Sequence, residues 1–158
     1  MVPILPVVTL EVDLFIGGGS RSALFAPIGA DDEAMGNLAE TAIFSQWFHS
    51  DEIRHLHYAR WKSGRTDLEV DLVKVDPATL RPAWAYEIKW SDRYVDQPGE
   101  LRGLLELAGK KEKFPVHAGA TTRTLSGETT VDGVTIRHFP CALHCYQIGK
   151  NLTSGLPA

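Results

Sequence analysis

The sequence predicts an α/β domain in which helices flank a mixed β-sheet, and three observations lead to this fold class. Leu68 to Val75 and Ala83 to Trp90 both alternate in hydrophobicity, and Asp76-Pro77 and Arg81-Pro82 mark a turn between them, so the two segments predict a β-hairpin. A proline-free segment from Asp31 to His49 favours a helix before the hairpin. Leucines spaced three and four residues apart indicate another helix after it.

Length and composition indicate one domain. The chain has 158 residues, of which 44% are hydrophobic, enough to bury a core. We expect a single domain with four parts. These are a variable N-terminal region (1–30), a core (31–122), a hairpin with a helix (123–150) and a tail (151–158).

The charge balance excludes one class of function. Sixteen basic and twenty acidic side chains give a formal net charge of -4, which is unlike a protein that coats nucleic acid nonspecifically. The chain has no apolar run of membrane-spanning length, and its first residues lack the features of a signal peptide. We therefore expect a soluble protein that does not enter a membrane. Its two cysteines are too few for a disulfide framework, which agrees with a reducing cytoplasm.

The first half of the chain begins with a predicted strand, Val2 to Asp13, and a turn at Gly17 to Gly19. No phosphate-binding G-x-x-x-x-G-K-[ST] motif follows the glycines. In the helix that follows, Glu40 shares a stripe with Phe44 and Trp47 at i+4 and i+7, which places this acid on or beside the inward face. An edge glutamate that reaches solvent is the alternative.

His55 to Trp61 predicts a strand before the hairpin. Because side chains alternate between faces, Glu87 and Lys89 are expected on one face of the second hairpin strand, and pairing with the first strand would bring Asp71 beside Glu87. Four apolar residues of that strand are expected to face the core. They are Trp84, Tyr86, Ile88 and Trp90.

The second half of the chain predicts a helix, three strands and a last helix. Gln97-Pro98 begins the first helix and Gly109 ends it. The strands are Phe114 to Thr122, Glu128 to Val131 and Val134 to His138, and Pro140 begins the last helix. Within that helix, Cys141 and Cys145 lie one turn apart, which favours small core residues over a zinc site with His138 and His144.

The order of the charged residues indicates a chemistry. Glu40 on a helix, Asp71 on one strand and Glu87 on the next supply carboxylates suited to a hard cation, and Lys89 adds an ammonium group on the same face as Glu87. Hydrolysis of a phosphodiester requires such a set, because a divalent cation and a lysine stabilise the charge that develops on phosphate.

In these residues the sequence resembles the PD-(D/E)xK nuclease superfamily, with Glu40, Asp71 and Glu87-Ile88-Lys89 in the positions of its motif. Val70 stands where that motif has proline. The resemblance covers about residues 37–122 and implies a restriction-endonuclease-like core in the order αβββαβ. It also implies that Asp71, Glu87 and the Ile88 carbonyl bind Mg²⁺ or Mn²⁺, that Lys89 is catalytic, that Glu40 is an auxiliary acid, and that the substrate is DNA or RNA.

A second resemblance covers nearly the whole chain. The segments GNLAETAIFSQWF, YARWKSGRTDLEVDLV, YEIKW and FPCALHCYQIG are similar to a nuclease-like domain of unknown function at the C-terminal end of prokaryotic AAA+-type ATPases. This resemblance implies an ATPase partner, in cis or in trans. Since the chain has no Walker lysine, it would be an excised fragment, a split product or a stand-alone relative.

Two other interpretations stay open at this point. A nuclease-shaped module that binds nucleic acid or a protein partner without cutting agrees with the acidic composition. A small domain whose acids face water is the other. The sequence also leaves a homodimer open.

Overall fold

A computed structural model describes residues 4–6, 29–31, 33–109 and 116–154. Within these residues the fold is a mixed β-sheet with helices on both faces, so the predicted α/β class is confirmed. The sheet has seven strands in the order β1-β2-β3-β4-β5-β7-β6. The strands are β1 (Ile4–Pro6), β2 (Leu56–Ser63), β3 (Thr66–Asp76), β4 (Arg81–Glu87), β5 (His117–Thr122), β6 (Gly127–Val131) and β7 (Val134–Pro140).

The strands β1 to β4 form an antiparallel meander, β5 runs parallel to β4, and β7 runs parallel to β5. The hairpin β6–β7 closes through Asp132 and Gly133, which both have positive φ, as a tight primed turn requires. The helices are α1 (Ala34–Trp47), α2 (Arg93–Asp96), α3 (Arg102–Gly109) and α4 (Cys141–Ser154), and 3₁₀ turns occupy Asp51–His55 and Pro98–Glu100.

The succession of α1, three strands, α3 and β5 is the predicted order of helix, three strands, helix and strand. None of the helices that the structure describes is long and apolar enough to cross a membrane. The glycine triplet at 17–19 and most of the first predicted strand lie outside the described residues.

Hydrophobic residues pack on both faces of the sheet. On the α3 face, Val70, Val73 and Ala85 pack with Leu104 and other residues of one cluster. The opposite face packs against α1 and α4. We call it the α1/α4 face, and its cluster contains Ile43, Phe44, Trp47, Leu72, Ile88 and Ile148.

The predicted core face of β4 and its continuation is confirmed. Trp84, Tyr86, Ile88 and Trp90 all belong to or pack against the α1/α4 cluster, while Ala85 between them belongs to the α3 cluster. Strand alternation therefore fixes which residues near Glu87 are anchored in the core.

The structure differs from two predicted helix boundaries. The helix expected from Gln97-Pro98 is a 3₁₀ turn followed by α3, because Leu101 has a non-helical ψ of 55° between them. The last helix continues to Ser154, four residues into the expected tail. Leu152 packs against the α1/α4 cluster, and this burial favours continuation of the helix.

Candidate functional site

The carboxylates Asp71 and Glu87 lie side by side on the central strands β3 and β4. Leu72 is paired with Tyr86 across these strands, so Asp71 and Glu87 occupy the next position. Both side chains are buried, with residue exposures of 8% and 4%. A side-chain hydrogen bond with Glu87 acts to lower the pKa of Asp71, and Asp71 Oδ2 accepts a hydrogen bond of 2.6 Å from the Ile88 main-chain N–H.

A β-bulge in β3 falls at Asp71. In the pairing with β2, Ala59 is opposite Val70 and His57 is opposite Val73, so Asp71 and Leu72 together face Tyr58. A bulge changes the facing of the residues beyond it. Val70 and Val73 are three positions apart and would face opposite sides of a regular strand. Because of the bulge, both belong to the α3 cluster.

Lys89 extends from the end of β4 towards both carboxylates. Its Nζ lies 2.8 Å from Glu87 Oε2 and 3.7 Å from Asp71 Oδ2. The Lys89 side chain is 26% exposed, so the ion pairs are partly shielded from solvent and stronger than pairs on an open surface. The structure thus brings three of the four predicted side chains into direct contact.

Glu40, the fourth predicted residue, is a half-buried side chain of α1. Burial raises its pKa to about 7, and the charge of Asp71 acts in the same direction while Lys89 opposes it. Glu40 is therefore within electrostatic range of the pair, although no hydrogen bond from it to Asp71, Glu87 or Lys89 is present.

The other pKa values follow from burial and from the crowding of like charges. Burial, followed by the charge of Asp71, raises the pKa of Glu87 to about 8. Burial also raises the pKa of Asp71, against the opposing effect of Lys89. For Lys89, burial lowers the pKa, but Asp71 and Glu87 outweigh burial and hold the ammonium group charged.

The main chain of Lys89 is held by the side chains of Thr121 and Cys141, a role that the sequence did not predict for either residue. The Lys89 N–H donates to Thr121 Oγ1 at 2.8 Å, and the same hydroxyl donates to the Lys89 carbonyl at 3.0 Å. Cys141 Sγ donates to that carbonyl at 3.4 Å. Both residues come from later elements, β5 and the start of α4. Hydrophobic periodicity carries no signal for such contacts.

The donor atoms fit a hard divalent cation. Asp71 and Glu87 supply carboxyl oxygens, and a bound cation would favour the charged forms of both groups, whose pKa values burial raises. Among the residues that the structure describes, no three His, Cys, Asp or Glu side chains are grouped closely enough to hold a metal. Mg²⁺ commonly binds one or two carboxylates and retains water, and the predicted set of Asp71, Glu87 and the Ile88 carbonyl would be a site of this open kind.

Comparisons with known proteins add no relative. The chain matches no protein-family model, no curated protein and no solved structure. The resemblance to nucleases therefore stays a prediction from the sequence motifs. Within the described part of the chain, the residues of that motif form two buried carboxyl groups on adjacent strands, a lysine paired with both, and a helical glutamate with a raised pKa.

Proposed function

We propose that this chain is a Mg²⁺-dependent nuclease-like enzyme that hydrolyses phosphodiester bonds of DNA or RNA. The observation that carries the proposal is the convergence of Asp71 from β3, Glu87 from the end of β4 and Lys89 from the residues just after β4. A structural ion pair requires one acid for one lysine. A second buried acid is costly unless a further cation binds or the acid takes up a proton, and a metal ion would fill the first of these roles.

In this proposal Asp71, Glu87 and the Ile88 carbonyl hold Mg²⁺ or Mn²⁺. The bound metal supplies neutralisation of the phosphate oxygens and a more acidic water. Lys89 would place its ammonium group against the negative charge that develops on the phosphate. Glu40, whose pKa is about 7, would accept or release a proton near neutral pH.

The partners follow from the same proposal. With a formal charge of -4, the chain would contact nucleic acid locally, through the metal and a few basic side chains. The similarity of its segments to ATPase-associated domains favours a cytoplasmic AAA+-type ATPase as a partner, in cis or in trans. A homodimer would present two such sites to one duplex.

The test is cleavage of duplex DNA, single-stranded DNA and RNA by the purified chain with Mg²⁺ or Mn²⁺. We expect divalent-dependent cleavage that falls at least about a hundredfold in Asp71→Asn, Glu87→Gln and Lys89→Met. Lys74→Met is the matched control, because Lys74 is also a half-buried lysine, lies on the neighbouring strand β3 and is paired with Glu52. Absence of cleavage of all three substrates, or full activity of Lys89→Met, would refute the proposal.

A non-catalytic binding module is the second candidate, and one observation favours it. Lys89 already pairs with both buried carboxylates, which partly balances their charge without a metal. Calorimetric titration with Mn²⁺ separates the two functions. An enzyme requires Mn²⁺ binding that Asp71→Asn abolishes, whereas the module requires none.

A further inference from the structure

A cavity of about 580 Å³ lies against the α1/α4 face and contains none of the four carboxylate-site residues. Its volume is in the range of small-molecule sites, about 300 to 1,000 Å³. The lining comes from α1, β4, β5, β6, β7 and α4, and it includes Trp47, Trp84, Tyr86, Phe139 and His144.

These five rings contact one another in a closed cycle. Trp47 packs against Trp84 with centroids 5.7 Å apart, and Trp84 meets Tyr86 edge to face at 5.2 Å. The cycle continues from Tyr86 to Phe139 at 5.5 Å, from Phe139 to His144 at 5.4 Å and back to Trp47 at 6.2 Å. Phe139 and His144 are nearly parallel, with planes 10° apart.

The position of Tyr86 in this wall depends on a glycine. A Cβ atom at position 119 of β5 would lie 2.0 Å from Tyr86 Cε1, so only glycine leaves room for the ring over β5. Trp47 and His144 are buried, while Trp84, Tyr86 and Phe139 are half-buried. The half-buried rings therefore have surface available for a ligand, and their packing against the buried rings holds them in place.

The lining carries little net charge. Arg137 Nε pairs with Glu128 Oε1 at 3.2 Å, and both residues line the cavity. Burial lowers the pKa of His144 to about 4, so its ring is neutral at neutral pH. An uncharged ligand suits such a wall better than a phosphate or a free ammonium group.

Polar groups in the same lining favour a ring with a polar edge. Trp47 Nε1 and His144 Nε2 are buried and have no hydrogen-bond partner among the described residues. The side chains of Thr135, Gln147 and Asn151 also line the cavity. The amide group of Gln147 can pair with the donors and acceptors at the edge of a nucleobase, which a hydrocarbon ring does not offer.

We propose that this cavity binds an uncharged planar heteroaromatic ring of the nucleobase class, stacked on the half-buried rings of the wall. An aromatic cage for a cation is excluded by the short ring-to-ring distances, because rings in mutual contact leave no gap for an ammonium group between them. The proposal is independent of the proposed nuclease function, since it involves neither the carboxylates nor a metal.

The experiment is titration of the whole chain, without divalent cations, with adenosine, guanosine, cytidine and uridine. Binding is measured by calorimetry and by the fluorescence of the tryptophans. We expect saturable binding of at least one of the four nucleosides, weakened about tenfold in Phe139→Leu through loss of stacking. Tyr146→Leu is the matched control, because Tyr146 is an exposed aromatic residue of α4 outside the cavity lining.

Near-UV circular dichroism establishes that both variants are folded, and Arg137→Gln is a second variant should Phe139→Leu unfold. Arg137→Gln leaves the rings in place but removes the pairing with Glu128, so we expect changed nucleoside affinity with an unchanged fold. Three outcomes overturn the proposal. They are no binding of any nucleoside, equal binding by Phe139→Leu and Tyr146→Leu, and tighter binding of N-acetyl-tryptophanamide, which would assign the cavity to a protein side chain.

Discussion

Thr121 connects the packing of β5 to the orientation of Lys89. Its hydroxyl group both accepts from the Lys89 N–H and donates to the Lys89 carbonyl, and the residue is 1% exposed. These bonds continue the pairing of β4 with β5 beyond the end of β4. The direction of the Lys89 side chain therefore depends on a residue that would not touch substrate.

We expect Thr121→Val to lower the rate of the proposed cleavage about tenfold, with little change in KM, because a misdirected ammonium group loses charge stabilisation in the transition state. Amide hydrogen exchange at Lys89 should also become faster. Thr122→Val is the control, since the Thr122 hydroxyl is buried but donates to the Leu125 carbonyl. Equal rates in the two variants would remove the positioning role of Thr121.

Glu87 gives the stability of the metal-free protein a pH dependence. Its pKa is about 8 in the folded chain against an ordinary value of 4.5, so the folded state keeps a proton that the unfolded state releases. The stabilisation is complete below about pH 4.5 and is lost as the pH rises through 8. We expect urea denaturation of the wild type to show a free energy of unfolding that falls across this interval.

Glu87→Gln should reduce the fall in the free energy of unfolding between about pH 5 and pH 8 by a few kcal/mol. The control is Glu128→Gln, because Glu128 is exposed and pairs with Arg137 away from the site. If Glu87→Gln keeps the full pH dependence of the wild-type unfolding free energy, the proton that the folded state retains is bound to another group.

The site residues were predictable to different degrees. Glu87 and Lys89 follow from an alternation that continues two residues beyond the end of β4, and the hairpin brings Asp71 beside them, so short-range pattern suffices. Thr121 and Cys141 reach Lys89 from positions 32 and 52 residues away. Such contacts depend on the parallel pairing of β5 with β4, which no local pattern specifies.

At the scale of elements, α3 lies unusually close to β3. A Cβ atom at Gly103 would lie 2.0 Å from the main-chain carbonyl oxygen of Glu69, so the helix packs directly on the strand that carries Asp71. Only a residue without a side chain permits this approach. The bulge at Asp71 and Leu72 lies two residues further along the same strand.

We expect Gly103→Ala to destabilise the fold by about 1 to 3 kcal/mol, because helix and strand backbones must separate. Gly36→Ala in α1 is the matched control. Nothing lies within 4 Å of a Cβ atom there, so we expect stabilisation of about 0.5 to 1 kcal/mol from helix propensity. Chemical denaturation measures both, and a neutral Gly103→Ala would mean that α3 moves freely away from β3.

The elements themselves were largely predictable, whereas their interruptions were not. Two features have local signals. The four apolar residues from Trp84 to Trp90 follow strand alternation, and the turn at Asp132 and Gly133 follows turn chemistry. The break at Leu101 and the bulge at Asp71 have no such signal. Both depend on how α3 and the sheet pack, which is a tertiary constraint.

At the scale of the whole molecule, two buried groups oppose each other in their response to pH. Glu87 favours the folded state at low pH, as described above. His144 acts in the opposite sense, because burial lowers its pKa from 6.5 to about 4. The folded state keeps this ring neutral while the unfolded state takes up a proton, so stability is present above about pH 6.5 and is lost as the pH falls through 4.

We expect His144→Phe to reduce the loss of stability between pH 6.5 and pH 4 by up to about 3 kcal/mol, because phenylalanine takes up no proton in either state. Phenylalanine also has an aromatic ring that can stack on Phe139 as His144 does, so the fold should tolerate the change. His117→Phe, at an exposed position, is the control. Urea denaturation across this interval checks the prediction. Equal acid sensitivity of wild type and His144→Phe would assign the acid transition to other groups. His57 and His138 are among them, because burial also lowers their pKa values.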